Sequence, residues 1–479
     1  MKINQYFITN DASISFDSAD FGMNKIDNYL IFNHKNLKSN RFEKGEATLI
    51  ILGDIFDSYN PEHSIIDIAK VLLKSDTFDD LLQHLDKKTG RYVVFSKLKG
   101  VYNIVSDFFC QRQVYYWFKE KQFYTSSSPK LILDSLSLSL SMDDERLQLS
   151  KSNYFLKIQE HWLLGETDWD NRLKKLRPNH YLNINQKIAK RIPIFVSKVS
   201  DKEGLEKEVL MVLRNSILAY SERYSLMLGL TSGYDSRLLM SSSITINKII
   251  KYFTFSRIDT YVKQDVSIAK RLSEMYNLDY EEIKTEDLSP EFKSEFKKQF
   301  LIPRLLDKTK NIQWFKNQNL ENTAVISGNG GALIRSIYDD DNFKDSASIC
   351  KTIEYEPSNL NLSSLDSWLA SAMEYASKSR LLISDLFYLE VRLGKWGNKM
   401  VHEMGVSGVE EFSPYNNRYL MYSLLLNYNQ DERKTIILNL LEQSLEGVTT
   451  LPFNPKTWKD TVKKIIFYEH YKKFIQKIK

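Results

Sequence analysis

The chain has 479 residues, of which 42% are hydrophobic and 27% are charged, a composition typical of a globular protein with two or three domains. Its 66 lysine and arginine residues against 61 aspartate and glutamate residues leave a net charge of +5, which is too small to predict nucleic-acid binding. No apolar run is long enough to span a bilayer, and the amino-terminal residues lack the hydrophobic segment of a signal peptide.

The cysteines and histidines exclude two further classes. Cys110 and Cys350 are far apart and outside any Cys-x-x-Cys spacing, so neither a disulfide framework nor a zinc site is predicted. The seven histidines are scattered without the spacing of metal ligands, which disfavours a transition-metal enzyme. We therefore expect a cytoplasmic protein.

Residues 1–195 consist mainly of short apolar runs separated by turns, with helical spacing over residues 64–85. Successive short strands at such intervals predict layered, mostly antiparallel sheets. The charged stretch at 196–203 predicts a connection between a domain at 1–195 and a second domain at 204–479. The predicted strands of the first domain include Ala47–Leu52, Tyr92–Phe95, Val101–Val105 and Val114–Phe118.

After residue 204 strands alternate with helices, a pattern that predicts βαβ units and a parallel sheet. From about residue 365 the chain is predicted to be largely helical, and Lys459–Lys479 has the spacing of an amphipathic helix on the protein surface. The predicted strands are Ser225–Leu230, Lys251–Phe255, Tyr280–Ile283 and Thr323–Ile326.

Two strand ends stand out because ligands of parallel sheets bind beyond the carboxyl ends of the strands. Thr231–Ser236 is a turn of small residues between a strand and a helix, where free backbone N–H groups and the helix dipole favour an anion. Asp235 in this turn is placed to meet a cation. An ordinary strand-to-helix turn is the alternative interpretation. A second glycine-rich run, Ser327–Gly331, follows the strand that ends at Ile326.

These two runs resemble signatures of the asparagine synthetase (class B) family. Thr231–Ser236 is similar to the family's S-G-G-x-D-S, and Ser327–Leu333 is similar to its S-G-E-G-A-D-E. The runs Gly90–Tyr92, Ser106–Tyr116 and Ser126–Lys130 resemble the family's glutamine amidotransferase domain, so the resemblance covers roughly the whole chain. It implies an α/β protein with a layered antiparallel-sheet α+β domain (Ntn-hydrolase-like) followed by a parallel-sheet α/β domain (PP-loop, adenine nucleotide α-hydrolase-like) with a helical carboxyl-terminal part.

The resemblance also implies a reaction and a site. Such enzymes adenylate a carboxylate with ATP and pass the acyl group to an amine, while backbone N–H groups, Mg²⁺ and a basic side chain meet the departing pyrophosphate. Asp235 would bind Mg²⁺, and Arg433 or Lys434 would face the pyrophosphate. Glu390 is a further catalytic candidate, with a buried structural ion pair as the alternative. The nucleotide-binding positions implied are Leu230, Thr231, Ser232, Gly233, Asp235, Ser236, Phe255, Ser327, Gly328, Asn329 and Gly330, with Leu230 and Phe255 flanking the adenine. Arg237 is either a phosphate contact or a surface residue of the helix.

The chain departs from the family pattern at several positions. Lys2 replaces the amino-terminal cysteine of glutamine-hydrolysing members, so glutaminase activity should be absent. Cys110 stands where the family commonly has glycine, and we interpret it as a packed residue rather than a nucleophile. Ala332 and Leu333 replace the acidic pair of the second signature; Asp339–Asp341 either compensates or forms a solvated loop.

Two functions follow from these observations. The first is an ATP-dependent amide-forming ligase without glutaminase activity, whose partners are ATP, a carboxylate-bearing substrate and an amine donor. The second is a catalytically degenerate nucleotide-binding pseudoenzyme of the same fold. The sequence leaves the oligomeric state open, a homodimer included.

Overall fold

The computed structural model describes residues 4–152, 155–156, 162–256 and 260–455. The predictions that rest on Lys2 and on Lys459–Lys479 lie outside the described residues. Among the described residues, no helix is long and apolar enough to cross a membrane.

Two antiparallel sheets of six strands each form the amino-terminal part. The first has the order β10-β8-β9-β1-β3-β2, and the second has the order β12-β11-β7-β6-β5-β4. The strands are β1 (Tyr6–Thr9), β2 (Phe21–Ile26), β3 (Tyr29–His34), β4 (Ser39–Lys44), β5 (Ala47–Asp57), β6 (Lys88–Leu98), β7 (Val101–Ser106), β8 (Tyr115–Lys119), β9 (Gln122–Ser126), β10 (Lys174–Lys175), β11 (His180–Asn183) and β12 (Ile188–Arg191).

The period-2 alternation of these strands places one set of apolar side chains between the sheets and the other set beneath helices. Ile8 and Ile31 of the first sheet pack with Ile50 and Phe95 of the second. The outer faces are covered by helices, so the region has four layers, helix–sheet–sheet–helix. The helices here are α1 (Ile65–Leu72), α2 (Phe78–Leu85), α3 (Pro129–Ser135) and α4 (Asp144–Lys151).

The helical spacing predicted over residues 64–85 is divided between α1 and α2. Thr77 begins the second helix, because its hydroxyl accepts from the Asp80 N–H and the Asp80 carboxylate accepts from the Thr77 N–H. Such a reciprocal capping box satisfies two backbone donors that a helix start otherwise leaves unpaired.

The carboxyl-terminal part is built on a parallel sheet of order β15-β14-β13-β16-β17. Its strands are β13 (Ser225–Gly229), β14 (Ile250–Ser256), β15 (Tyr280–Lys284), β16 (Thr323–Ile326) and β17 (Glu410–Phe412). The first four confirm the predicted strands. β17 escaped prediction, since three residues beginning Glu-Glu carry no apolar periodicity.

Helices lie on both faces of this sheet. They are α5 (Lys202–Ser221), α6 (Tyr234–Ser242), α7 (Thr260–Tyr276), α8 (Pro290–Gln299), α9 (Thr309–Gln318), α10 (Ser346–Thr352), α11 (Asn359–Ser379), α12 (Ile383–Phe387), α13 (Asn398–Met404), α14 (Arg418–Asn427) and α15 (Gln430–Ser444), with a π-helix over Tyr388–Gly397 and short 3₁₀ turns at Ile244–Ile249, Gly331–Leu333, Asp340–Asn342 and Gly405–Ser407. The described residues therefore confirm the predicted fold class, a layered antiparallel α+β part followed by a parallel α/β part with a helical end. The division of the chain at 196–203 stays a prediction.

The strand order fixes where a ligand can enter. From β13 the sheet continues to β14 on one side and to β16 on the other, so the chain reverses its direction of progress between these neighbours. A crevice opens at the carboxyl ends of the strands at such a switch point. The loops that leave β13 and β16 carry the two glycine-rich runs singled out in the sequence.

Candidate functional site

A cleft of about 410 Å³ lies at the carboxyl ends of β13 and β16. Seven predicted positions line it together: Thr231, Gly233, Asp235, Ser236, Phe255, Ser327 and Gly328. The structure therefore brings the two predicted signature runs to one cleft, as expected for loops that leave adjacent parallel strands.

The apolar half of the cleft is formed by aromatic rings. Phe255 makes edge contacts with Phe253, Trp314 and Phe315, and Phe253 and Phe315 also line the cleft. Gly229 at the end of β13 leaves the floor of this half open. A flat apolar slot of this kind suits a planar heterocycle.

Leu230 does not line this slot. Its side chain is fully buried in the main core, its N–H donates to the Phe253 carbonyl at 2.8 Å, and its carbonyl accepts from the Thr254 hydroxyl at 2.5 Å. The Leu230 side chain therefore lies in the core, and its contact with adenine stays a prediction. The alternation of a strand turns Leu230 inward while the side chain of Thr231 faces the cleft.

The loop Thr231–Ser236 is held by its own side chains. Ser236 Oγ accepts from the Thr231 N–H at 3.1 Å and lies 2.8 Å from Thr231 Oγ1, while Thr231 Oγ1 accepts from the Gly233 N–H at 3.1 Å. These bonds satisfy loop N–H groups that would otherwise be open. They leave the first turn of α6 as the part of the loop that faces an incoming anion.

Ser232 is turned away from the cleft. Its N–H and its hydroxyl donate to the same oxygen of Asp265, at 2.9 and 2.5 Å, and its side chain is buried. Asp265 lies 33 positions downstream in α7, and no sequence motif marks it. Ser232, predicted to contact a phosphate, therefore forms hydrogen bonds that join the loop to α7.

Asp235 is paired with an arginine that the sequence analysis did not identify. Arg335 Nη2 donates to Asp235 Oδ2 at 2.9 Å, and Arg335 Nε donates to Oδ1 at 3.3 Å. Burial raises the pKa of the Asp235 carboxyl above its ordinary value, and the charge and hydrogen bonds of Arg335 oppose that rise. The guanidinium also lies 5.2 Å from the ring centroid of Tyr234.

Two glycines of the second run allow this pair to form. A Cβ added to Gly328 would lie 3.0 Å from Asp235 Cβ, and one added to Gly331 would lie 3.0 Å from Asp235 Cγ. Such contacts are tighter than those of most Cβ atoms, so glycine at both positions lets the β16 loop lie close to the aspartate. Their position brings Arg335, four residues beyond Gly331, within reach of Asp235.

A guanidinium lies beside Asp235, at the position predicted for Mg²⁺, and Mg²⁺ binding there stays a prediction. Both carboxylate oxygens are engaged by one guanidinium, and the described residues hold no group of three or more histidines, cysteines, aspartates or glutamates able to bind a metal. Asp339–Asp341 supply no replacement, because Asp339 caps its own 3₁₀ turn and Asp340 accepts from the Ser384 N–H. The positive charge beside Asp235 is the guanidinium of Arg335.

Gly330 lies at the contact with the amino-terminal part, whereas Asn329 contacts other residues of the carboxyl-terminal part, and neither is in the lining of the cleft. Gly330 has φ +89°, and a Cβ there would lie 2.2 Å from the ring of Phe109. The Asn329 carbonyl accepts from the Ser413 hydroxyl at 2.6 Å. Contact of either residue with a nucleotide stays a prediction.

Arg433 and Lys434 are not brought to the cleft lining. Arg433 is fully buried and pairs with Asp385 at 2.7 Å, and it also donates to the Leu333 carbonyl. Lys434 is exposed and pairs with Asp431 one turn earlier. The placement of both differs from the predicted pyrophosphate contact, because the helix that carries them packs by its apolar face and turns Lys434 to solvent. Lys308, at the start of α9, is the basic side chain of the lining.

Arg237 is neither of the two alternatives left by the sequence. It is fully buried, and its guanidinium donates to the carbonyls of Ser232, Val448, Leu451 and Pro452. It also lies 3.8 Å from the ring centroid of Phe453, which stacks on Tyr234 at 4.2 Å. Arg237 therefore fixes the carboxyl-terminal segment against the loop.

Glu390 forms a buried ion pair, which is the structural alternative to a catalytic role. It is fully buried and accepts from Arg191 Nε and Nη2, both at 2.9 Å, and from Trp368 Nε1 at 2.8 Å. Burial alone would raise the pKa of Glu390, but His180 and Arg191 bring it below its ordinary value. Its partner Arg191 ends β12, so Glu390 joins the amino-terminal sheet to the π-helix.

Replacing Glu390 by glutamine is expected to lower the free energy of unfolding by about 2 kcal/mol, because Arg191 loses its counter-charge while the Trp368 bond is kept. Urea denaturation measures the loss. ATP affinity of the folded variant should equal that of the parent chain, and a parallel loss of affinity would return Glu390 to the list of ligand contacts.

Among known proteins, the chain shows similarity to solved structures. No protein-family model matches the chain, and no curated protein matches it.

Three solved structures illustrate the similarity. NH3-dependent NAD synthetase from Campylobacter jejuni, solved with nitrate, has 17% identity and a TM-score of 0.20 over 29% of this chain and 61% of that one. Glutamine PRPP amidotransferase from B. subtilis, complexed with ADP and GMP, has 9% identity and a TM-score of 0.24, over 70% of this chain and 71% of that one. NMN synthetase from Francisella tularensis has 15% identity and a TM-score of 0.21, over 54% of this chain and 100% of that one. At these identities and TM-scores the likenesses carry no conclusion about activity.

Proposed function

We propose that the protein is an ATP-dependent ligase of the asparagine synthetase type that adenylates a carboxylate and transfers it to ammonia or to a substrate amine. The observation that carries the proposal is the cleft at the switch point of the parallel sheet, where an aromatic slot lies beside a polar strand-to-helix loop. Such neighbouring surfaces suit the adenine and the phosphates of one nucleotide. A cytoplasmic location and the domain division at 196–203 belong to the same proposal.

In this reaction a substrate carboxylate oxygen attacks the α-phosphorus, and the bond to the pyrophosphate oxygen breaks. The amine nitrogen then attacks the acyl carbon, AMP leaves, and the nitrogen loses a proton. Negative charge accumulates on the pyrophosphate, so fixed positive charge lowers the barrier. We assign that role to Lys308 in the cleft wall and to Arg335 beside Asp235, rather than to a metal held by Asp235.

Glutaminase activity is not part of the proposal. Cys110 is fully buried with φ +55°, the left-handed region that explains a glycine at this position in the family. Burial raises the pKa of its thiol to about 12, so it carries no thiolate at neutral pH. Glutamine should therefore release no glutamate, and ammonia or an amine is the nitrogen donor.

The proposal is tested by incubating the protein with ATP, ammonia or an amine, and a panel of carboxylic acids, with and without Mg²⁺, and measuring AMP and pyrophosphate. One acid or more should give both products in equal amounts. Ser236→Ala should reduce their formation by about tenfold or more, because Ser236 Oγ holds the Thr231 N–H. Ser242→Ala on the same helix is the matched control, because the Ser242 hydroxyl donates to the Leu238 carbonyl one turn earlier and is not in the lining of the cleft.

A second candidate, a nucleotide-binding pseudoenzyme, is favoured by the carboxylate of Asp265 at the Ser232 N–H, where a phosphate would otherwise bind. Saturable ATP binding without AMP for any acid would support this candidate. Absence of both binding and turnover would contradict both functions.

A further inference from the structure

A second, smaller pocket lies where the amino-terminal and carboxyl-terminal parts meet. Its volume is about 60 Å³, which accommodates a few water molecules or one small oxyanion. Helix α13 separates it from the cleft: Met400, Glu403 and Met404 face the cleft, whereas Lys399 and His402 face this pocket. We call it the lysine pocket.

Two lysines of the lysine pocket are buried without an ion-pair partner among the described residues. Lys175 on β10 is 4% exposed and Lys395 in the π-helix is 6% exposed. Among the described residues neither ammonium has a hydrogen-bond or ion-pair partner; Lys175 Nζ lies 5.4 Å from the ring centroid of Tyr115. A third lysine, Lys399, donates to the Ile302 carbonyl at 3.1 Å.

Among the described residues, the charges that face Lys175 and Lys395 do not balance them. Asp168 is the carboxylate that the described residues contribute to the lining, set against the ammonium groups of Lys175 and Lys395. His402 adds a buried Nε2 without a hydrogen-bond partner among the described residues, and burial lowers its pKa to about 3, so the ring is neutral. The walls are apolar or aromatic, formed by Trp162, Leu163, Trp169, Phe300, Leu301 and Ile302.

Burial lowers the pKa of Lys395 to about 7 and that of Lys175 to about 8. Asp168 opposes the shift in both cases, and Glu166 also opposes it for Lys395. The neighbouring positive charges lower both values further: Arg177 and Lys175 act on Lys395, and Lys399 acts on Lys175. Without an anion, the lysine pocket therefore disfavours the protonated forms of Lys175 and Lys395.

Buried ammonium groups without partners are costly, and an anion between them removes the cost. We propose that the lysine pocket is an anion-binding site for a phosphate or carboxylate group, clamped by Lys175, Lys395 and Lys399. Its position across α13 from the cleft makes it a separate site, and its occupancy does not require a nucleotide. Charge-assisted bonds from three lysines orient the group, and the aromatic walls exclude water from it.

Binding at this site is coupled to proton uptake. The anion raises the pKa of Lys175 and Lys395, so each lysine that is neutral in the empty pocket gains a proton on binding. The affinity for the anion is therefore highest below about pH 7 and falls as the pH rises through 7 and 8.

Titration calorimetry of the full chain with inorganic phosphate, and separately with acetate, tests the proposal. At least one anion should bind saturably, and the apparent heat at pH 7.5 should differ between phosphate-free buffers of different ionisation enthalpy by an amount that corresponds to proton uptake. Phosphate binding without acetate binding would identify a phosphate site, and the converse a carboxylate site. Absence of saturable binding by both overturns the proposal.

Lys395→Met is the decisive variant because it removes the charge and keeps the length. It should weaken the anion about tenfold or more, abolish most of the proton uptake, and raise the thermal midpoint measured without the anion, since a buried unpaired charge is lost. Lys174→Met, at the exposed neighbouring position of β10, is the control and should leave affinity unchanged. Anion binding that survives Lys395→Met and Lys175→Met but is lost in Ser236→Ala would place the anion in the cleft and overturn the proposal.

Discussion

Replacing Arg335 by methionine is expected to weaken ATP binding by about 100-fold, because the variant leaves the Asp235 carboxylate unpaired beside the phosphates. The expectation follows from the bidentate contact of Arg335 with both Asp235 oxygens and from the absence of a metal-binding cluster among the described residues. Calorimetric titration with ATP, in EDTA and in Mg²⁺, measures the change.

The direction in which a second substitution changes ATP affinity distinguishes an arginine site from a metal site. Asp235→Asn leaves the Arg335 charge unopposed, so ATP should bind at least as tightly as to the parent chain and with less than about a twofold response to Mg²⁺. A metal site at Asp235 would give the reverse, a loss of affinity and of Mg²⁺ dependence. Arg214→Met, on the exposed face of α5, controls for the change of net charge in Arg335→Met. The double variant Asp235→Asn/Arg335→Met should recover part of the lost affinity and shows that the effect is electrostatic.

Replacing Glu410 by glutamine is expected to cost about 3–5 kcal/mol of unfolding free energy. Glu410 on β17 accepts from Arg91 Nη1 at 3.0 Å and from Arg112 Nη2 at 3.3 Å, and both arginines are buried in the amino-terminal part. The substitution leaves two buried guanidinium groups without their counter-charge at the contact between the sheets. Urea denaturation at pH 7 measures the loss, and Glu46→Gln in an exposed turn is the control.

The same residue predicts an acid-sensitive stability. Burial alone would raise the pKa of Glu410, but Arg112 and Arg91 lower it from 4.5 to about 2. A carboxyl with a lowered folded pKa contributes stability above its unfolded pKa and loses it as the pH falls. The difference in unfolding free energy between the parent chain and Glu410→Gln should therefore be constant above about pH 5 and shrink as the pH falls from 4.5 towards 2. A difference that does not change with pH would contradict this assignment.

Local patterns were sufficient for the fold. Apolar alternation located the strands from Ala47 to Phe118, and the strand–helix alternation after residue 204 predicted the parallel sheet, because each pattern reflects which face of an element is buried. Strands with little apolar content, such as Glu410–Phe412, carry no such pattern. Their pairing with a neighbouring strand decides that they exist.

The cleft was predicted in part. Thr231, Gly233, Asp235 and Ser236 follow one strand and Ser327 and Gly328 follow its neighbour, so their meeting was implied by the sheet alone. The orientation of single side chains was not implied. Leu230 faces the core, Ser232 faces Asp265, and Arg433 pairs with Asp385, because packing partners elsewhere in the chain compete for each of them.

The sequence by itself determined the fold class, the position of the cleft at the carboxyl ends of the strands and the loss of the acidic pair at Ala332 and Leu333. Only the tertiary structure decided what the Asp235 carboxylate meets, since Arg335 lies 100 positions away and reaches it where Gly328 and Gly331 allow close approach. It likewise decided that Lys175 and Lys395 face one pocket. Charge pairing depends on distances in space, which periodicity along the chain does not encode.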